Sequence, residues 1–169
     1  MDNNLTKLPD GLPVPADDGS CNHLLGKTVD SIEGKFVIMY FFPMMVKSEF
    51  DLPLGWNDIP GARGCTPQHM WINQYRGELS RYDSVAIGVS SQPVDSSQQL
   101  IWDKNLEFKE KLNIPTFAYD GKIFYKRVTI IVKDSKIIKV FYPIFPPDKH
   151  IFEILKWLKT QSLNLHDFL

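Results

Sequence analysis

Residues 35–42 read KFVIMYFF, and the fold is decided by this run. Apolar residues follow one another without alternating with polar ones, so a strand formed here needs cover on both faces. That is the pattern of a central strand in a mostly parallel sheet. Downstream, Pro43 to Gly64 carries Pro43, Pro53, Pro60, Gly55, Gly61 and Gly64 with little periodicity and reads as a long loop. Loops of that length are uncommon unless they are functional. From Thr66 to Tyr82, the residues Ile72, Tyr75, Leu79 and Tyr82 fall three or four apart, the spacing of one helical face. Val85 to Val89 (VAIGV) is a second short buried strand. Strand, loop, helix and strand in that order set the two strands parallel and give the α/β class.

Further along, Val128 to Val132 (VTIIV) and Ile137 to Tyr142 (IIKVFY) flank four polar residues suited to a hairpin turn, so these strands are expected to be antiparallel. Asp148, after Pro146 and Pro147, is placed to cap a last helix with Ile151, Ile154, Leu155 and Leu158 on one face. This order is that of a thioredoxin-like fold, a central mixed sheet flanked by helices. The segment up to about Gly34 is expected to add an N-terminal hairpin, with Gly26 and Gly34 near its turns. Residues 92–118 fit less well. Gln92 to Gln99 is a short polar connection, whereas a parallel crossover needs about a dozen residues. Lys104 to Leu112 reads as a charged helix, and Pro115 starts a new segment.

A chain of 169 residues with 43% hydrophobic residues closes a core without crosslinks, and residues 1–169 read as one domain. Its 19 basic and 20 acidic side chains are dispersed, so no field of one sign is offered to nucleic acid or an anionic membrane. Met1 to Ala16 lacks the apolar core of a secretion signal, and no apolar run approaches the roughly 18 residues that span a bilayer. The expected compartment is cytoplasmic. Its 2 cysteines do not make a disulfide scaffold. His23, His150 and His166 are scattered without companion ligands, so neither a metal nor another cofactor is expected.

Cys65 stands where the glycine-rich loop meets the helix, in Ile59-Pro60-Gly61-Ala62-Arg63-Gly64-Cys65-Thr66-Pro67-Gln68. A helix start presents unpaired N–H groups and the positive end of the macrodipole, which favour the nucleophilic thiolate. Arg63 adds positive charge, while Gly61 and Gly64 let backbone N–H groups approach a small substrate. On position alone, an inert cap thiol and a reactive thiolate remain equally open. Trp56, His69 and Trp71 either line a pocket or simply pack, and His69 stands one helical turn from Cys65.

The run GARGCTPQ, preceded by PLGW, resembles the active-site segment of peroxiredoxins, in particular a bacterial bacterioferritin-comigratory-like branch. Leu12 to Gly19 with His23 to Gly26, Lys126 to Thr129, Val140 to Pro143 and Phe145 to Asp148 extend the resemblance over Leu12 to Leu158. It implies a peroxidatic Cys65 and a catalytic Arg127 beside it, with Gly64, Thr66 and Arg63 contacting a peroxide. It also implies an external thiol reductant, such as thioredoxin, glutaredoxin or glutathione, and a homodimer. Two departures stand out. Asp58 and Ala62 occupy the positions, seven and three residues before the cysteine, where most peroxiredoxins have Pro and Thr or Ser. Met70 stands where relatives often carry a resolving cysteine, leaving Cys21, another subunit or an external thiol to reduce the sulfenic acid, with one-Cys behaviour expected. A dithiol oxidoreductase would need a second cysteine at Gln68. The remaining rival is a redox sensor or binding module that keeps the fold without turnover, motivated by Ala62, Met70 and the short segment after Gln92.

Overall fold

The computed structural model describes residues 21–46, 51–59 and 61–166. Its elements run β1 (Phe36–Phe41), α1 (Cys65–Gln74), α2 (Arg76–Ser80), β2 (Ser84–Ser90), β3 (Leu100–Trp102) and α3 (Glu107–Leu112). They continue with β4 (Thr116–Tyr119), β5 (Lys122–Tyr125), β6 (Val128–Lys133), β7 (Lys136–Phe141) and α4 (His150–His166). Five strands form one mixed sheet in the order β3-β2-β1-β6-β7, with β1 at its centre, parallel to β2 and antiparallel to β6. No helix among the described residues is long and apolar enough to cross a membrane.

The unbroken apolar run of β1 has a direct use. Val37, Met39 and Phe41 enter one core layer with Leu112, Ile114, Tyr125, Val128 and Ile130. Ile38, Tyr40 and Phe42 enter the other, with Cys65, Ile72 and Leu79 and with Ile151, Ile154 and Leu158 of α4. Side chains alternate across a strand, so one strand with no polar positions feeds both layers. The expected thioredoxin-like arrangement is thus present, and the turn Asp134-Ser135 joins β6 to β7 with both residues at positive φ.

Several expectations are corrected in detail. The helix predicted over Thr66 to Tyr82 is two helices, because the Tyr75 N–H bonds the Ile72 carbonyl three residues back and closes a tighter turn. Asp148 does not cap α4; it lies inside a 3-10 turn, Pro147–Lys149, that runs into His150. Residues 91–99 cross from β2 to β3 through only a 3-10 turn, Ser96–Gln98. The short path works because Leu100 packs tightly on Gly88, where a Cβ would lie 2.5 Å from Leu100 Cδ2 and 2.8 Å from the Tyr40 ring. The expected helix from Lys104 begins at Glu107, where Asp103 accepts the N–H groups of Glu107 and Phe108 at 2.8 and 3.1 Å. Leu12 to Gly19, part of the expected N-terminal hairpin, lies outside the described residues. From Cys21 to Gly34 there is a 3-10 turn, Asn22–Leu24, and a single bridge between Thr28 and Lys136.

The sequence reading did not foresee the β4-β5 hairpin, a separate two-stranded sheet. Phe117 and Phe124 of this hairpin bury Trp56, Ile59 and Ala62 of the long loop in a third apolar cluster. The Tyr119 hydroxyl donates to the Leu54 carbonyl at 2.5 Å. A loop rich in glycine and proline is thereby held by a small core of its own, directly ahead of Cys65.

Candidate active site

Cys65 is the first residue of α1, and Gly64 before it sits at φ 102°. The first bond into the helix is Gln68 N–H to the Gly64 carbonyl. The N–H groups of Cys65 and Thr66 therefore have no partner within the helix, and Pro67 has none to leave unsatisfied. The thiol is 6% exposed, at the base of a cleft of about 360 Å³. Met44, Val46, Leu52 and Trp56 form the apolar wall of the cleft, and Arg63, Gly64 and Thr66 line its other side.

Arg127, immediately before β6, is 5% exposed. Its Nη2 donates to the carbonyls of Gly61, Ala62 and Arg63 at 3.3, 3.3 and 3.1 Å and to Cys65 Sγ at 3.2 Å. Nη1 donates to Gln68 Oε1. The guanidinium therefore fixes the loop before the cysteine, the sulfur, and the helix one turn after it. The fork geometry of arginine is what lets one side chain do all three. Sγ also lies 3.7 Å from the Ala62 carbonyl oxygen, to which a thiol S–H donates.

The structure brings Arg63, Gly64, Cys65, Thr66 and Arg127 together. Arg63 contributes its carbonyl to Arg127 while its side chain is exposed, and Thr66 is exposed on the cleft. Cys21 is apart: it is buried in the layer with Leu24, Val37 and Met39, across the sheet from the layer that holds Cys65. The two cysteines form no disulfide. Ala62 packs its methyl against the Trp56 cluster, an apolar setting in which a threonine hydroxyl would need a partner.

Other sequence candidates do different work. His69 does not face Cys65. Its Nδ1 accepts the Tyr40 hydroxyl at 2.6 Å, and its Nε2 lies 3.1 Å from Gln98 Oε1 and 3.0 Å from Asn73 Nδ2. Burial lowers its pKa below the usual imidazole range, so it serves as a neutral tie between α1, β1 and the short crossover. Trp71 stacks on Tyr75 and meets Phe152 edge-on, away from the cleft, whereas Trp56 both lines the cleft and packs. Sequence reasoning missed the role of Gln68, which is 1% exposed and takes the second N–H end of Arg127. Its spacing of three from Cys65, which puts both on one helical face, was the available signal.

Gly64 is held to its identity twice over. Its φ favours glycine, and a Cβ there would lie 2.5 Å from Pro147 Cγ. Gly61→Ala meets only the first constraint, because nothing lies within 4 Å of its added Cβ. Gly64→Ala is expected to cost about 1–3 kcal/mol in denaturant unfolding and more than Gly61→Ala. Equal losses would mean that the contact with Pro147 contributes nothing.

No protein-family model matches the chain. It is 25% identical over 155 residues, covering 84% of its own length and 89% of the relative, to a Coxiella burnetii protein named as a peroxiredoxin, bcp. Among solved structures, its fold is similar to Xylella fastidiosa PrxQ, with a TM-score of 0.59 at 15% identity, covering 82% of this chain and 96% of that one. Peroxidoxin BcpB of Mycobacterium tuberculosis matches with a TM-score of 0.57 at 18% identity, covering 80% and 96% of the two chains. The bacterioferritin comigratory protein of Xanthomonas campestris matches at 0.55 and 17%, covering 76% and 79%. In sequence the chain is thus similar to a protein named as a peroxiredoxin, and it shares its fold with PrxQ and bacterioferritin comigratory structures.

Proposed function

We propose that the chain reduces hydrogen peroxide or small organic hydroperoxides by a one-Cys mechanism centred on Cys65. The reading rests on one observation above the others: the Arg127 guanidinium donates to Cys65 Sγ while it holds the carbonyls of the loop that leads into the cysteine. The Cys65 thiolate attacks the nearer peroxide oxygen. An S–O bond forms, the O–O bond breaks, and the bonding pair departs on the distal oxygen as alkoxide or hydroxide, which takes up a proton. Sulfur is oxidised by two electrons to sulfenic acid and the peroxide is reduced to alcohol or water. Arg127 and the first-turn N–H groups of Cys65 and Thr66 meet the negative charge as it passes from sulfur to the leaving oxygen. The apolar wall of Met44, Val46, Leu52 and Trp56 leaves room for an alkyl group.

Reduction of the sulfenic acid falls to an external thiol such as thioredoxin, glutaredoxin or glutathione. Attack on the sulfenic sulfur releases water and leaves a mixed disulfide, and a second thiol restores Cys65. The burial of Cys21 in the opposite core layer supports this route over an intrachain disulfide. A reducing cytoplasm supplies such thiols and suits two cysteines that are not bridged.

Stopped-flow mixing of the reduced protein with each peroxide, read by intact mass, tests the proposal. One added oxygen in both the wild type and Cys21→Ala, with no disulfide, is expected. A disulfide that disappears in Cys21→Ala would replace the one-Cys route, and the absence of any adduct would remove the peroxidase reading in favour of a sensor or binding module.

A further inference from the structure

His150 lies just behind the site and plays no part in the reaction described above. It opens α4 immediately after the turn whose Pro147 packs on Gly64, and it is wholly buried. Its Nε2 is 2.8 Å from Thr129 Oγ1, and Thr129, within β6, follows Arg127 by two residues. Its Nδ1 lies 3.7 Å from Glu153 Oε2, and that carboxylate is half-exposed. The Phe141 ring of β7 packs edge-on at 5.2 Å. Beyond these, the charged groups that bear on it are Arg127 from the site and, through Glu153, Lys139 of β7. The Nε of Arg127 has no hydrogen-bond partner of its own, so the guanidinium is held only through its two Nη atoms.

We propose that His150 is a positioning residue for Arg127: as a neutral ring bonded to Thr129 it keeps a second positive charge out of the layer beneath Cys65, and protonation in acid loosens Arg127 from the loop carbonyls and from Sγ. The inference rests on the reading of Cys65 and Arg127 as the reacting pair. Burial first, and then the nearby guanidinium, lowers the pKa of His150, while Glu153 opposes both. A lowered pKa keeps the ring neutral through neutral pH, so positioning is intact there and is lost as the pH falls below the ordinary imidazole range.

The test compares wild type, His150→Gln and Glu153→Gln in two assays across pH, the rate of Cys65 oxidation by hydrogen peroxide and the rate of Cys65 alkylation by iodoacetamide. Glutamine retains a hydrogen-bonding group for Thr129 but gains no charge. The rates of wild type and His150→Gln are expected to stay within about threefold near pH 7.5, and the wild-type rate to fall roughly tenfold further than that of His150→Gln in acid, the effect of one pK unit of interaction. Glu153→Gln removes the carboxylate that favours the charged ring, so its extra acid loss moves to lower pH. This half-exposed position keeps the test alive if His150→Gln does not fold. Superimposable alkylation profiles for all folded variants would overturn the proposal. Profiles that differ in alkylation while no variant reacts with peroxide would uphold it and refute the peroxidase reading instead.

Discussion

Cys65→Ser is expected to reduce peroxide consumption to the uncatalysed background and to abolish the oxygen adduct seen by mass. Serine nearly reproduces the volume of cysteine, and its Oγ can still accept from Arg127, whose Nη2 is 3.2 Å from the present sulfur. The fold should therefore be retained, with unfolding free energy within about 1 kcal/mol of the wild type. The missing property is chemical: an alcohol is a weak nucleophile at neutral pH and has no sulfenic acid to form. Residual turnover that vanishes only when Cys21 is also removed would move the reaction to the other side of the sheet.

Arg127→Gln should slow oxidation of Cys65 by about a hundredfold to a thousandfold, the usual consequence of losing one preorganised donor to developing negative charge. The loss has a structural part as well, because the carbonyls of Gly61, Ala62 and Arg63 lose a shared donor. About 1–3 kcal/mol of stability should go with it. Arg127→Lys separates charge from geometry. A single ammonium cannot span Gln68, the loop carbonyls and Sγ at once, so lysine should recover little of the rate. Recovery to near the wild-type rate would show that positive charge alone suffices. Stopped-flow rates at saturating and limiting peroxide, with denaturant midpoints beside them, resolve the two contributions.

The parts of this molecule that were legible beforehand are those whose signal is local. KFVIMYFF announced a strand covered on both faces, VAIGV its parallel neighbour, and VTIIV with IIKVFY an antiparallel pair. The junction Gly64-Cys65-Thr66-Pro67 marked the helix start by its own composition. What stayed hidden depends on partners far along the chain. Nothing in Gln92 to Trp102 tells that Gly88 lets Leu100 come close enough for a short crossover. The β4-β5 hairpin shows itself only once Trp56, Ile59 and Ala62 are seen to need a cover. Gln68 and His150 look like unremarkable polar residues until the fold sets each beside the groups it holds. Arg127 was reached through family likeness, since its guanidinium finds the sulfur across 62 positions of sequence.

That separation carries a consequence for the order in which the protein is made. Synthesis delivers the nucleophile first, then the hairpin that steadies its loop, then the guanidinium, and last the helix whose leading turn abuts Gly64. Contacts so distant in sequence form slowly, because the intervening chain must be closed before any of them is made. On a ribosome that adds about 5–20 residues each second, the thiol passes several seconds without the arginine that later encloses it. Until then the cysteine stands in an ordinary, unassisted state, and its contact with Arg127 forms only once the chain has grown well past it.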